Sequence, residues 1–167
     1  MTLKELNTLE RAAFVDAIGW SFEHSPWVAE RAWAARPFDT LAALHAAMVA
    51  VLEQATAAEQ LALIRAHPDL GARIQMSDAS RSEQTGSGLD SLSPTEFARL
   101  QSLNSAYREK FGFPFIYAVK GATKQQIVGA LESRIDAEPG AERHAALGQI
   151  YRIAQFRLES TLSCTDS

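Results

Sequence analysis

Leu41-Ala42-Ala43-Leu44-His45-Ala46-Ala47-Met48-Val49-Ala50-Val51-Leu52 sets Leu41, Leu44, Met48, Val51 and Leu52 three and four residues apart, in line along one face of an α-helix. Ile127, Leu131 and Ile135 repeat that spacing. No alternating run of useful length competes with it, so strands are not expected. Helix starts are marked between such rows. Asn7 with Glu10, Thr56 with Glu59, Ser93 with Glu96 and Thr123 with Gln126 each fit the reciprocal capping box, and Pro94 stands at a first helical position. The expected fold is an all-α, single-domain bundle of about seven to nine helices over residues 1–167. Loops are expected at Pro37, around His67-Pro68, across 76–93, at 111–122 and near Pro139-Gly140. There is no internal repeat.

Composition narrows the function. The chain has 167 residues, 47% of them hydrophobic, which suits one compact core. A net charge of −4 and a pI near 5.6, with no dense Lys/Arg cluster, argue against nucleic-acid partners. No stretch approaches the roughly 18 apolar residues needed to span a bilayer, and the N-terminus carries no basic-then-apolar leader pattern, so a cytoplasmic protein with no membrane partner is expected. Cys164 is the only cysteine and reads as a bystander near the C-terminus. No HxxxH, HxH, HExxH or CxxC spacing occurs, so no metal is expected, and there is neither a glycine-rich phosphate loop nor a Gly-x-Ser-x-Gly elbow.

Several segments break the helical pattern in ways that suit chemistry. Lys110-Phe111-Gly112-Phe113-Pro114-Phe115-Ile116-Tyr117-Ala118-Val119-Lys120 is too irregular for an amphipathic helix. Pro114 lacks an N–H and disfavours helical geometry at Phe113, while Gly112 permits angles closed to other residues. The run reads as a buried non-helical wall, either a plug in the core or a pocket lining. His67 precedes Pro68 where a helix must stop, and an imidazole there can move a proton at neutral pH; it can equally be a polar helix end. Ser80, Glu83 and Gln84 stand at i, i+3 and i+4 in a serine-rich stretch and would share a face if helical. In the last helix Ala146, Ile150, Ile153 and Arg157 form one row, so Arg157 is expected on a mostly buried face. A buried guanidinium needs an anion: a ligand, an internal Asp or Glu, or else an escape of its head into water. Asn104 interrupts the row Phe97, Leu100, Tyr107 and Phe111 and reads as a core amide. His24, His45 and His144 receive no catalytic role, and His45, on an apolar row, reads as a satisfied core histidine.

The order of these pieces resembles one family. His67-Pro68-Asp69-Leu70-Gly71, then Ser80-x-x-Glu83-Gln84, then Asn104-x-x-Tyr107-x-x-Lys110-Phe111-Gly112-Phe113-Pro114-Phe115-Ile116, then Ile153-Ala154 and Arg157-Leu158, is similar to the 2-oxo-4-hydroxy-4-carboxy-5-ureidoimidazoline (OHCU) decarboxylases. The resemblance covers nearly the whole chain, and the Lys-Phe-Gly-Phe-Pro-Phe run is its most specific part. It implies an all-α homodimer without cofactor that forms (S)-allantoin and CO2 from OHCU in urate catabolism. By that resemblance His67 and Glu83 are catalytic, and Pro68, Ser80, Gln84, Phe113, Phe115, Ile116 and Arg157 bind substrate. Gly71 stands where members often carry Ala, and the C-terminal residues do not form a peroxisomal Ser-Lys-Leu. The alternatives are a non-catalytic helical module that binds a purine-derived ureide, and a helical adaptor whose aromatic run is a partner surface.

Overall fold

The computed structural model describes residues 1–68, 70 and 93–162. The described residues form eight α-helices and two short 3-10 turns, with no strand among them, as the spacing and caps anticipate. They group into two compact units, Met1–Ala66 with Tyr151–Ser167, and His67–Ile150. No single helix among the described residues is long and apolar enough to cross a membrane.

The first unit holds α1 (Leu3–Thr8), α2 (Arg11–Ile18), α3 (Trp27–Ala32), α4 (Leu41–Glu53) and α5 (Ala57–Ala66). On α4 the predicted row is buried at Leu44, Met48 and Leu52, while Leu41 and Val51 are half-buried. Thr40 caps α4, its side chain accepting from the Ala43 amide at 3.0 Å. At α5 the expected box is present: the Glu59 amide donates to Thr56 Oγ1 and the Thr56 amide to Glu59 Oε1, both at 3.1 Å. The Asn7/Glu10 expectation is overturned. The box at the N-terminus is Thr2 with Glu5, and Asn7 lies inside α1. Its amide pairs reciprocally with the backbone of Phe38, 31 residues away, at 2.8 Å in both directions. A side chain committed to a distant backbone cannot cap its own helix.

The second unit holds α6 (Pro94–Phe111) and α7 (Lys124–Arg134). Helix α8 (Pro139–Thr161) contributes residues to both units. Helices α6 and α7 start with the predicted boxes, Ser93 with Glu96 and Thr123 with Gln126, and Pro94 opens α6. Lys124 pairs with Glu96 at 2.9 Å, and Arg99 pairs with Glu132. Lysine and neighbouring donors hold the Glu96 carboxyl below its usual range, with the Lys124 ammonium the largest cause and the Ser93 amide next. Pro139 and Gly140 are not a loop; they form the first turn of α8, where a proline lacking N–H breaks no helical bond. The core of this unit includes Leu100, Tyr107, Phe115, Ile127, Leu131, Ala146 and Ile150. Phe97 departs from the expected row: it is 42% exposed, so the buried face of α6 begins at Leu100.

Candidate active site

The aromatic run is the non-helical wall its sequence predicts. Helix α6 stops at Gly112, whose φ of 75° lies in the left-handed region that a side chain disfavours, and its amide donates to the Arg108 carbonyl at 2.9 Å. From Phe113 to Val119 the backbone is neither helix nor strand. Phe113, Phe115 and Ile116 are nevertheless almost wholly buried. A buried irregular backbone must find hydrogen-bond partners outside regular structure. Here side chains supply them. Arg134 Nη1 donates to the Ile116 carbonyl at 2.7 Å, and the Ala118 amide donates to Gln149 Oε1 at 3.0 Å.

Arg134 is in turn held by Glu142, which is 1% exposed. Its Nε donates to Glu142 Oε1 at 2.7 Å, Nη2 pairs with the same oxygen, and the Tyr107 hydroxyl donates to it as well. The Arg134 guanidinium also lies over the Phe115 ring, 4.5 Å from its centroid. Tyr107 meets Phe115 edge to face at 5.3 Å and Phe111 at 4.6 Å. Burial first, and then the adjacent Glu142 carboxylate, push the Tyr107 hydroxyl far above its ordinary range, so it keeps its proton. One carboxylate thus ties a tyrosine of α6 and an arginine of α7 to α8, and the arginine reaches on to the wall.

His67 is the first residue after α5, where Pro68 prevents the helix from continuing. It is 7% exposed and engaged within the protein, and its Nε2 is buried. Pro68 is exposed, whereas Leu70 is buried and its carbonyl accepts from Asn104 Nδ2 at 2.6 Å. The core-amide reading of Asn104 holds for that half of the group; Oδ1 is buried and meets no donor among the described residues. Asp69, Gly71, Ser80, Glu83 and Gln84 lie outside the described residues.

Arg157 is 4% exposed, and an internal carboxylate answers it. Its Nη1 donates to Glu23 Oε2 at 2.9 Å and to the Trp20 carbonyl at 3.3 Å, with the guanidinium 5.6 Å from the Trp20 ring centroid. On the same helix Ile153 is only half-buried, and Ala154 and Leu158 are the buried neighbours. His45 is satisfied as expected, its Nε2 lying 2.7 Å from the Tyr151 carbonyl. His144 is exposed.

Sequence reasoning missed Glu142, Arg134, Gln149 and Glu23. One signal for Glu142 was present: it lies four residues before Ala146, on the same helical row that singled out Arg157. The partners of Arg134 and Arg157 carry no local spacing, being 8, 18 and 134 residues distant.

Residues 7–159 match the family model described as OHCU decarboxylase. The chain belongs to the OHCU decarboxylase family. It is 47% identical to the 2-oxo-4-hydroxy-4-carboxy-5-ureidoimidazoline decarboxylase of Haloferax volcanii, over 98% of this chain and 97% of that one. It is 44% identical to the uric acid degradation bifunctional protein PucL of Bacillus subtilis, over 97% of this chain and 33% of that one. Among solved structures it is similar to (S)-allantoin synthase, with a TM-score of 0.82 and 35% identity, covering 100% of this chain and 56% of that chain. The fold and the sequence over nearly the whole chain therefore agree with one family.

Proposed function

We propose that this chain decarboxylates OHCU to (S)-allantoin and CO2 in urate breakdown. The observation that carries the reading is the 47% identity, over nearly all of both chains, to a decarboxylase named for that substrate. The buried imidazole of His67 beside a helix end supports it chemically. In OHCU the carbon that loses CO2 bears a hydroxyl and adjoins a C=N bond. When the C–C bond breaks, its electron pair becomes a C=C bond, and the imine pair moves to nitrogen, which takes a proton. The hydroxyl then gives up its proton to become a carbonyl, and a proton returns to the former imine carbon. The substrate supplies its own electron sink, so this chemistry calls for no cofactor. The protein's task is to hold the carboxylate out of the ring plane, stabilise the developing charge and protonate one face. One-face protonation gives one enantiomer.

His67 is the principal acid/base in this reading, taking the hydroxyl proton and returning one to carbon. Glu83 positions it and the ureido group or shares the transfer. Ser80 and Gln84 hydrogen-bond the ring and ureido substituents, Pro68 flanks the imidazole, and the backbone of Phe113, Phe115 and Ile116 contacts the ring. Arg157 supplies fixed positive charge to the anionic substrate. The family resemblance supports these assignments, and it also supports a cytoplasmic homodimer.

The test is circular dichroism of urate supplied with urate oxidase and hydroxyisourate hydrolase, with and without the chain. Rapid growth of an (S)-allantoin signal only when the chain is present supports the reading. Nearly racemic product at the unassisted rate, from folded protein, overturns it and leaves a ureide-binding module.

A further inference from the structure

The wall has the sequence of an irregular coil and the burial of a core strand, yet neither helix nor sheet holds it. Two side chains do. Arg134 Nη1 fixes the Ile116 carbonyl at 2.7 Å, and Gln149 Oε1 fixes the Ala118 amide at 3.0 Å. Two residues apart, these bonds set the peptide planes on both sides of Tyr117. Nothing local in the sequence requires that arrangement, because Pro114 and Gly112 remove helical geometry without choosing a replacement.

The arginine clamp is itself over-determined. The Glu142 carboxylate, 1% exposed, receives Arg134 Nε at 2.7 Å and the Tyr107 hydroxyl. The planar guanidinium is thereby held with its Nη1 edge toward Ile116 and its face on Phe115. A lysine at 134 has one ammonium on a flexible stem and cannot reproduce both the fork and the stacked plane. Burial of such a charged network is weak evidence for stability alone, since apolar residues of similar volume often serve a core equally well. If this backbone meets substrate, as the proposed function has it, a network that ends on it has a second use, which is to fix the groups that meet the ligand.

We infer that Arg134, held by Glu142 and Tyr107, and Gln149 are positioning residues that set the Phe115–Ala118 backbone for substrate. They act through the wall and do not touch the reacting atoms. The inference rests on the reading above, in which the backbone of Phe113, Phe115 and Ile116 contacts the OHCU ring; the Ile116 carbonyl is clamped directly, and the Ala118 amide fixes the end of the same stretch. Loss of a clamp loosens a surface that binds the ring in ground state and transition state alike, so it raises KM more than it lowers kcat. A purely structural role predicts the converse: fewer folded molecules, a lower apparent kcat and an unchanged KM.

The experiment compares steady-state kinetics on OHCU generated in situ for the wild-type chain, Arg134→Lys, Gln149→Leu and Gln149→Glu, with the folded fraction of each measured by thermal melting. Gln149→Glu keeps an acceptor for the Ala118 amide, whereas Gln149→Leu removes it. Arg134→Lys and Gln149→Leu are expected to raise KM roughly tenfold, the effect of about one hydrogen bond's worth of ordering, with kcat per folded molecule within about threefold. Gln149→Glu is expected to recover most of the wild-type KM. An unchanged KM in folded Gln149→Leu, or equal KM values for the Leu and Glu variants, overturns the inference even if Arg134→Lys fails to fold. Absence of turnover by the wild-type chain overturns the decarboxylase reading instead, and with it this inference.

Discussion

Two buried arginine–glutamate pairs, one in each compact unit, use the same parts in opposite ways. Arg134 joins the Glu142 carboxylate to the Ile116 carbonyl, and Arg157 joins the Glu23 carboxylate to the Trp20 carbonyl. In the first pair the carboxylate side chain is 1% exposed and the arginine 15%; in the second the arginine is 4% exposed and the carboxylate 15%. The deep charge is therefore an anion in one pair and a cation in the other. A carboxylate stripped of its donors can take up a proton and become neutral, but a guanidinium cannot discharge at any physiological pH. The deep cation must always be answered by an anion. That asymmetry fits the anion-binding role proposed for Arg157, whereas the Glu142 network holds the protein's own backbone at Ile116.

The largest break in this comparison is expected from Glu142→Ala, which strands the Arg134 guanidinium and leaves Tyr107 without its acceptor. A loss of about 3–5 kcal/mol is expected in denaturant unfolding. A loss below about 1 kcal/mol would mean that the network holds little together.

Tyr107→Phe sharpens the account of the same oxygen, because it deletes one donor and keeps the ring. A loss of about 2 kcal/mol is expected for a hydrogen bond to a charged acceptor. The hydroxyl also carries a pH signature. Its folded pKa is raised above the ordinary value of 10.0, so its contribution is complete below pH 10 and is lost as pH rises beyond it. The stability gap between wild type and Tyr107→Phe should therefore narrow in alkaline unfolding. A gap that is constant or widens above pH 10 contradicts this assignment.

For the other pair, Arg157→Lys keeps a charge and loses the fork. It should raise KM for OHCU roughly tenfold, about 1.4 kcal/mol of binding, with little change in kcat. A selective fall in kcat would place the guanidinium in the chemical step instead.

The smallest effect concerns the helix that carries Tyr107. Ser93→Ala should cost about 1 kcal/mol through loss of the α6 cap. The Glu96 contribution to that cap follows the opposite pH sign from Tyr107: its pKa is depressed, so its contribution is present above the ordinary carboxylate range and is lost as pH falls through the folded value. Wild type and Glu96→Gln should converge in stability on acidification.

What the sequence made legible was local. Three capping boxes, the buried positions Leu44, Met48 and Leu52 on α4 and Ile127 and Leu131 on α7, and the break at Gly112 and Pro114 each rest on neighbours within about four residues and are found where expected, whereas Ile135 falls just past the end of α7 and is only half-buried. Asn7 departs from its capping pattern because its amide serves Phe38, a partner set by tertiary packing. The burial of Arg157 was visible as helical spacing, but its Glu23 partner was not, since no periodicity links positions 134 residues apart. Glu142 lies on the same row but in the first turn of its helix, where spacing alone does not separate an acid that serves the dipole at the surface from a buried one. Ser80, Glu83 and Gln84 rest on motif resemblance, and their positions lie outside the described residues.

The most direct test of the account is His67→Asn in the urate-coupled circular dichroism assay, beside a thermal melt of the same variant. Asparagine keeps a polar side chain at the helix end and removes the titrating group. The expected result is a near-native melting midpoint with allantoin forming at the unassisted rate and nearly racemic. Folded His67→Asn that still produces (S)-allantoin at the wild-type rate would contradict the assignment of His67 as the proton-transfer residue.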